Sequence, residues 1–302
     1  MRLAHIIDEY YNAFLIRYRD TILPGQMKAL NAMRSCRTSE AGQVYTACPD
    51  CDHTQSHPLS CGNRNCPHCQ NHETTRWIER QQNKLLPVPY FTCDLQVMVT
   101  FTLPCEFRSM VYQNQRAVYS LMFSCISDTL KDFGLNPRHL GAQIGMTMVL
   151  HTHSRRLDFH PHVHVVVPAG GIDSSRRQWK KKKGKYLFNQ QAMARVFRAR
   201  FLNGRVTFRY IEGESKEIRH RTIKGEDFLR LILRHVLPRG FRRARDYGFL
   251  HSNAKKLLFL VQLILHVRIM AMACHPRPAF KCPHCGSLMI VVGVRQATDR
   301  SG

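Results

Sequence analysis

The sequence predicts an α+β protein, with a small Cys-rich zinc-binding domain followed by a sheet flanked by helices. Three observations carry that expectation. Two Cys-x-x-Cys pairs, Cys48/Cys51 and Cys66/Cys69, fall in a stretch rich in Cys, Asn, Pro and His that has little periodicity, as in a fold organised around metal. From Phe91 onward, β-branched apolar runs alternate with segments of helical spacing. The 45 Lys+Arg against 21 Asp+Glu leave a net charge of +24, a field that attracts polyanions and speeds their association.

In chain order, Ile6, Ile7, Tyr10, Tyr11 and Phe14 predict one helix and Met27, Leu30 and Met33 a second, separated by Pro24-Gly25. A helix from Glu73 to Leu86 follows the Cys-rich stretch and stops at Pro87. Val97 to Leu103 reads as a strand, and residues 106–133 as one or two helices with Val118, Leu121, Met122, Cys125 and Ile126 on one face. Ile144–Thr152 and His160–Val167 are strands joined by a short polar loop. After a basic linker come a helix from Gln190 to Leu202, a strand from Val206 to Ile211 and a helix from Asp227 to Leu237. The expected domains are residues 1–90, helical and zinc-binding, residues 91–270, built on the sheet, and residues 271–302, a Cys-containing tail.

The N-terminus lacks the apolar core of a signal peptide, since Arg2 is soon followed by Asp8 and Glu9. Gln262, His266 and Arg268 interrupt the long apolar stretch Leu257–Ala273, which reads as a buried helix and not a membrane span. A cytoplasmic protein with reduced or metal-bound cysteines is the consistent expectation.

Cys48, Cys51, Cys66 and Cys69 together offer four thiolates to one Zn²⁺, which prefers tetrahedral sulfur. Cys36, Cys61, His53, His57, His68 and His72 are surplus and can substitute into the set or form a second site. Cys282-x-x-Cys285 is half a site, which Cys274 and His275 could complete; two thiols in a frayed tail account for it equally well. In the run His160–Val167, His160, His162 and His164 point to one face of a strand. Clustered imidazoles suit a divalent cation, so His162 and His164 are candidate ligands, with His151, His153 or His160 open as the third. A metal there would polarise a phosphodiester for attack by water or a side chain such as tyrosine.

The densest positive segments are Lys180, Lys181, Lys182, Lys183 and Lys185, and Arg239 with Arg242, Arg243 and Arg245. They are candidate phosphate contacts, with Trp179, Tyr186 and Phe241 nearby for base stacking. The alternatives are a solvated lysine loop and arginines that satisfy a helix C-terminus.

Several segments resemble the rolling-circle transposases of the insertion sequence 91 family. They are Cys36-Arg37-Thr38, Cys48-Pro49-Asp50-Cys51, Asn63–Gln70, Leu85–Phe91, Thr100–Pro104, Val149–Thr152, His160–His164, Gly170-Gly171, His235–Pro238 and Tyr247–Leu250, in the family's order over most of the chain. The resemblance implies an N-terminal zinc-binding domain that helps bind the element's ends. It also implies an HUH-type antiparallel sheet flanked by helices, in which the triplet His162-Val163-His164 holds Mg²⁺ or Mn²⁺. A tyrosine on a nearby helix of such enzymes attacks single-stranded DNA, leaving a 5′-phosphotyrosine link and a free 3′-hydroxyl.

The family carries its tyrosines between the helix matching Phe197–Leu202 and the strand matching Arg205–Tyr210. Here only Asn203-Gly204 separates the two, less than the about 3.6 residues of a single helical turn. No Tyr-x-x-x-Tyr pair occurs. Against the family pattern this is an apparent internal deletion near residues 203–205, and no nucleophile is assigned. Three readings follow: an active strand-transferring transposase, a zinc-stabilised DNA-binding remnant without catalysis, or a metal nuclease that uses water.

Overall fold

The structure, a computed structural model, describes residues 3–91, 99–103, 105–154, 157–182, 184, 187–203, 224–267 and 279–296. Its elements in chain order are α1 (Leu3–Tyr18), α2 (Pro24–Arg34), β1 (Gly42–Ala47), β2 (Thr54–Pro58), α3 (Gln70–Gln82), β3 (Tyr90–Phe91), β4 (Val99–Thr102), α4 (Arg108–Gln113) and α5 (Gln115–Leu135). They continue with β5 (Met146–His153), β6 (Phe159–Pro168), β7 (Gly170–Asp173), β8 (Gln178–Lys181), α6 (Gln190–Asn203), α7 (Gly225–Leu233), β9 (Ala244–Tyr247), α8 (Lys255–Ile264) and β10 (Ile290–Gln296).

Two compact units result. The first takes in Met1–Glu79, Thr222–Val236 and Met270–Gly302, and the second Arg80–Arg221 and Leu237–Ile269. The tail expected to stand alone therefore groups with the N-terminal segment, as does α7.

In the first unit, Ile7 and Phe14 of α1 and Ala29, Leu30 and Met33 of α2 form one buried cluster with Leu229 and Leu233 of α7. Pro24 opens α2, where its missing N–H costs no hydrogen bond. The Gln26 side chain accepts from the Leu23 amide at 3.0 Å and donates to the Leu233 carbonyl at 2.9 Å, tying the start of α2 to the end of α7. Glu226 and Asp227, in the first turn of α7, each lie 3.4 Å from Arg17, with their negative charge at the positive end of the helix dipole. Beside the helices runs a three-stranded antiparallel sheet in the order β10-β1-β2. None of these strands shows an apolar period in the sequence: β1 and β2 are mostly polar or half-exposed, and the apolar run of β10 does not alternate and stays exposed.

The second unit is built on a five-stranded sheet ordered β3-β6-β5-β9, with β4 also on β6; each pairing is antiparallel. Val163, Val165 and Val167 of β6 and Met146, Met148 and Leu150 of β5 are buried. Against them α5 sets Val118, Met122, Ile126 and Leu130, and α6 sets Phe197 and Phe201. The spacing of four along α5 makes one stripe of its helix surface. Each such side chain contributes about 1.5–3 kcal/mol by leaving water. With one face of the sheet under helices, the alternation of β6 puts its histidines on the other.

Several boundaries differ from the sequence reading. The helix expected over Glu73–Leu86 is α3, starting at Gln70 and ending at Gln82. Part of the basic linker is strand: β8 pairs with β7 and carries Lys180 and Lys181. The arginine cluster follows a turn and enters β9 instead of ending a helix. The apolar stretch supplies the ten-residue α8, which buries Val261 but exposes Phe259 and Leu263; its part from Arg268 to Ala273 lies outside the described residues, as does the strand expected over Val206–Ile211. Among the described residues, no helix is long and apolar enough to cross a membrane.

Candidate metal centres

The four cysteines expected to share one ion are divided between two groups. Cys66 and Cys69 stand with Cys36 and Cys61, while Cys48 and Cys51 stand with Cys282 and Cys285. Cys48 and Cys51 occupy the tip of the β1–β2 hairpin, whereas Cys36, Cys61, Cys66 and Cys69 gather near its base. The paired stretch from Gln43↔Pro58 to Ala47↔Thr54 is about 14 Å long at about 3.4 Å per residue, too far for one ion to bridge.

In the first group Sγ of Cys69 lies 3.6 Å from Cys36 and 3.5 Å from Cys61, and Cys66 lies 3.7 Å from Cys36. These separations far exceed a disulfide bond, about 2.05 Å. They match the edge of a tetrahedron with Zn–S bonds of about 2.3 Å, which is about 3.8 Å. Burial opposes ionisation of Cys69, but hydrogen bonds from Cys36, Cys61 and Cys66 outweigh it and bring the thiol down to about 7. In the second group Sγ of Cys48 is 3.4 Å from Cys285, and Cys51 is 3.5 Å from Cys282. The side chain and backbone of Ser287, then the Cys48 thiol, bring Cys285 down to about 6.

The third group is His151, His162 and His164. Register explains it: β5 and β6 pair His151 with His162 and Val149 with His164, while β4 pairs Thr102 with His162 and Thr100 with His164. Nδ1 of His162 lies 2.7 Å from the His160 carbonyl. A carbonyl only accepts, so Nδ1 is the protonated nitrogen and Nε2 presents a lone pair. That Nε2 is 3.1 Å from Nε2 of His164, whose Nδ1 is 3.2 Å from Thr100 Oγ1. The His151 ring stands 4.4 Å from that of His164 and 5.4 Å from that of His162, centroid to centroid.

Two ligands about 2.1 Å from an octahedral cation stand about 3.0 Å apart, so the donor set fits a divalent ion. Desolvation lowers the pKa of His162, and desolvation then the charge of His162 lowers that of His164. His151 falls furthest, to about 4, through desolvation and then the charges of His164, His162, His153 and Arg243. Neutral imidazole is the form that binds metal.

His160, open as a third ligand in the sequence, is otherwise engaged. Arg108 Nη2 donates to its Nδ1 at 3.1 Å, which leaves Nε2–H to donate to Thr102 Oγ1 at 3.3 Å. His153 lies outside the three-residue group, its ring 6.3 Å from that of His151. Sequence reasoning missed the supporting roles of Thr100, Thr102 and Arg108. The alternation in Thr100-Phe101-Thr102 was the available signal, since it puts both hydroxyls on one face.

Of the basic candidates, Lys180 pairs with Asp173 at 2.9 Å and donates to the Gly141 carbonyl at 2.8 Å. Arg245 lies over the rings of Phe123 and Phe241 at 4.3 and 4.8 Å. Lys181, Arg242 and Arg243 are exposed and Lys182 is half-buried, while Lys183 and Lys185 lie outside the described residues.

The family model "Transposase zinc-binding domain" matches residues 6–103. A second, "Putative transposase", matches in two pieces, residues 145–204 and 201–257. The chain is 29% identical over 330 residues to "Putative transposase y4qJ" of Sinorhizobium fredii (strain NBRC 101917 / NGR234), a match covering 84% of this chain and 81% of the relative. It is 33% identical over 150 residues to "Transposase for insertion sequence element IS801" of Pseudomonas savastanoi pv. phaseolicola, covering 49% of this chain and 34% of that protein. No solved structure matches.

Proposed function

Because the chain belongs to the insertion sequence 91 family of transposases, we propose that its histidine face is an HUH-type site for cleaving and rejoining single-stranded DNA in rolling-circle transposition. The observation that carries this reading is the 3.1 Å approach of Nε2 of His162 and His164, with His151 completing the set. These three residues would hold Mg²⁺ or Mn²⁺. The ion, when bound, supplies Lewis-acid stabilisation of charge on a phosphodiester.

The protein's own groups do the rest. The His160 carbonyl and Thr100 hydroxyl fix the two ring orientations. Arg108 reaches the same strand through His160, and the Arg243 charge is felt by both His151 and His153. Two cations beside the site suit a phosphate backbone. Lys180, Lys181, Lys182, Lys183, Lys185, Arg242 and Arg245 are proposed to extend that contact along a single strand from the element's ends. The zinc-binding domain is proposed to help hold those ends.

A second reading is a copy that retains the metal face but lacks the tyrosine segment. It is favoured by the two-piece family match, whose pieces meet at residues 201–204, where the sequence has only Asn203-Gly204 between matching elements. The alignment to the Sinorhizobium relative is also longer than the share of this chain it covers, so part of that relative has no counterpart here. End-labelled single-stranded DNA with Mn²⁺ separates the readings. A covalent protein–DNA adduct supports strand transfer, binding alone supports the defective copy, and cleavage without an adduct supports water as nucleophile. Cleavage that persists in His162→Ala/His164→Ala refutes the histidine site.

A further inference from the structure

We infer that Cys48, Cys51, Cys282 and Cys285 form a second structural zinc site, distinct from that of Cys36, Cys61, Cys66 and Cys69, in which segments more than two hundred residues apart each supply one half. The matched zinc-binding family region ends at residue 103 and so does not include Cys282 or Cys285. The inference does not depend on the histidine face.

The two halves repeat one backbone design. Cys48-Pro49-Asp50-Cys51 and Cys282-Pro283-His284-Cys285 share the spacing and the proline. In each, the amide of the first cysteine donates to the carbonyl five residues on: Cys48 to His53 at 2.8 Å, and Cys282 to Ser287 at 2.8 Å. In each, the residue after the second cysteine is left-handed, Asp52 at φ 52° and Gly286 at φ 79°, which turns the chain back sharply. The residues flanking each loop also pair alike. Ala47 faces Thr54 and Lys281 faces Leu288, in both cases one residue before the first cysteine and six after it. Two such knuckles facing each other present four thiolates from tight turns.

The surroundings agree. The sulfurs lie within 4.8 Å of one another, and the His53 and His284 rings of the two knuckles stand 4.2 Å apart. Among the described residues, the buried apolar cluster here is Cys48, Cys282 and Met289, while Ile290, Val291, Val292 and Val294 of β10 are exposed. So small a core does not hold a strand by hydrophobic burial, and a metal cross-link supplies what is missing.

Metal analysis of the full chain, purified under reducing conditions, tests this. The expected content is two zinc ions per chain, falling to one in Cys282→Ser/Cys285→Ser. One ion in the unsubstituted protein, or two retained in the variant, overturns the inference. Should the variant lose both ions by unfolding the unit, the ¹¹³Cd-substituted unsubstituted protein decides. Two resonances in the four-thiolate range support the inference, and a single one refutes it. Neither readout involves DNA, so failure here leaves the proposed catalytic reading untouched, and the converse also holds.

Discussion

His162 gives its Nδ1 proton to the carbonyl of His160 at 2.7 Å, a bond between neighbours on one strand face that aims the other nitrogen at His164. The same strand therefore supplies a ligand and the group that fixes its tautomer. Thr100 holds the His164 ring from β4 through its hydroxyl, which can donate or accept. Thr100→Val, which keeps the shape and removes the hydroxyl, is expected to weaken Mn²⁺ binding by about 10-fold or more. Calorimetric titration checks this, and an unchanged affinity would show that the His164 ring is held by packing alone.

His151 and His160 offer a sharper contrast. Both sit beside the pair, yet His160 has Arg108 and Thr102 on its two nitrogens, whereas His151 shares the three-residue donor group. His151→Ala should cost more Mn²⁺ affinity than His160→Ala. The reverse order in the same titration would move the third ligand to His160.

The histidine face also predicts a pH dependence. His151 has a folded-state pKa of about 4 against an unperturbed 6.5. Above pH 6.5 it is neutral in both states and contributes no penalty. Below that, the unfolded chain takes up a proton that the folded chain refuses, so stability declines as pH falls toward about 4 and levels off beneath it. His153, His160, His162 and His164 shift in the same direction. The Tm of metal-free protein should therefore drop between pH 6.5 and 4, less steeply in His151→Gln; parallel curves would remove His151 from the account. Mn²⁺ should raise Tm most at the upper end of that range, where no proton competes for the rings.

Gly248 turns the chain after β9 at φ 61°, and a Cβ there would stand 1.8 Å from the Ile144 carbonyl oxygen. Gly248→Ala meets both a left-handed backbone and an immovable atom. The expected loss exceeds the about 1 kcal/mol of a left-handed alanine alone, read as a lower midpoint in urea. A midpoint within error of the unsubstituted protein would mean that the turn is not packed in this way.

Stripping zinc with a strong chelator should open β1, β2 and β10, whose sheet has little apolar core, while the α5-covered sheet keeps its protection. Hydrogen exchange resolves the two. Equal loss of protection in both would refute separate sources of stability.

How much of this was legible in the sequence depended on the distance over which each signal acts. The strands around His160–His164 and helix α5 were readable because alternation and four-residue spacing are local and follow from burying one face. The three histidines of β6 were visible as a stripe for the same reason. The partnership of Cys48 and Cys51 with Cys282 and Cys285 was not visible, since two CxxC pairs close in sequence look like one site and nothing local reveals a knuckle joined by a distant strand. β1, β2 and β10 were missed because strands held by metal and edge pairing need no apolar period. The sequence makes Lys180 a candidate phosphate contact in a basic linker, and only the fold brings Asp173 and the Gly141 carbonyl to its ammonium.

The middle position of β1 has a consequence in time. Its partner on one side, β2, follows within a hairpin, while its partner on the other, β10, is made more than two hundred residues later. At about 5–20 residues per second of synthesis, the interval is on the order of ten seconds or more. Throughout it the hairpin has an open edge and reduced thiols at its tip, so a chaperone, a metal ion or a second nascent chain can reach it before its own strand arrives.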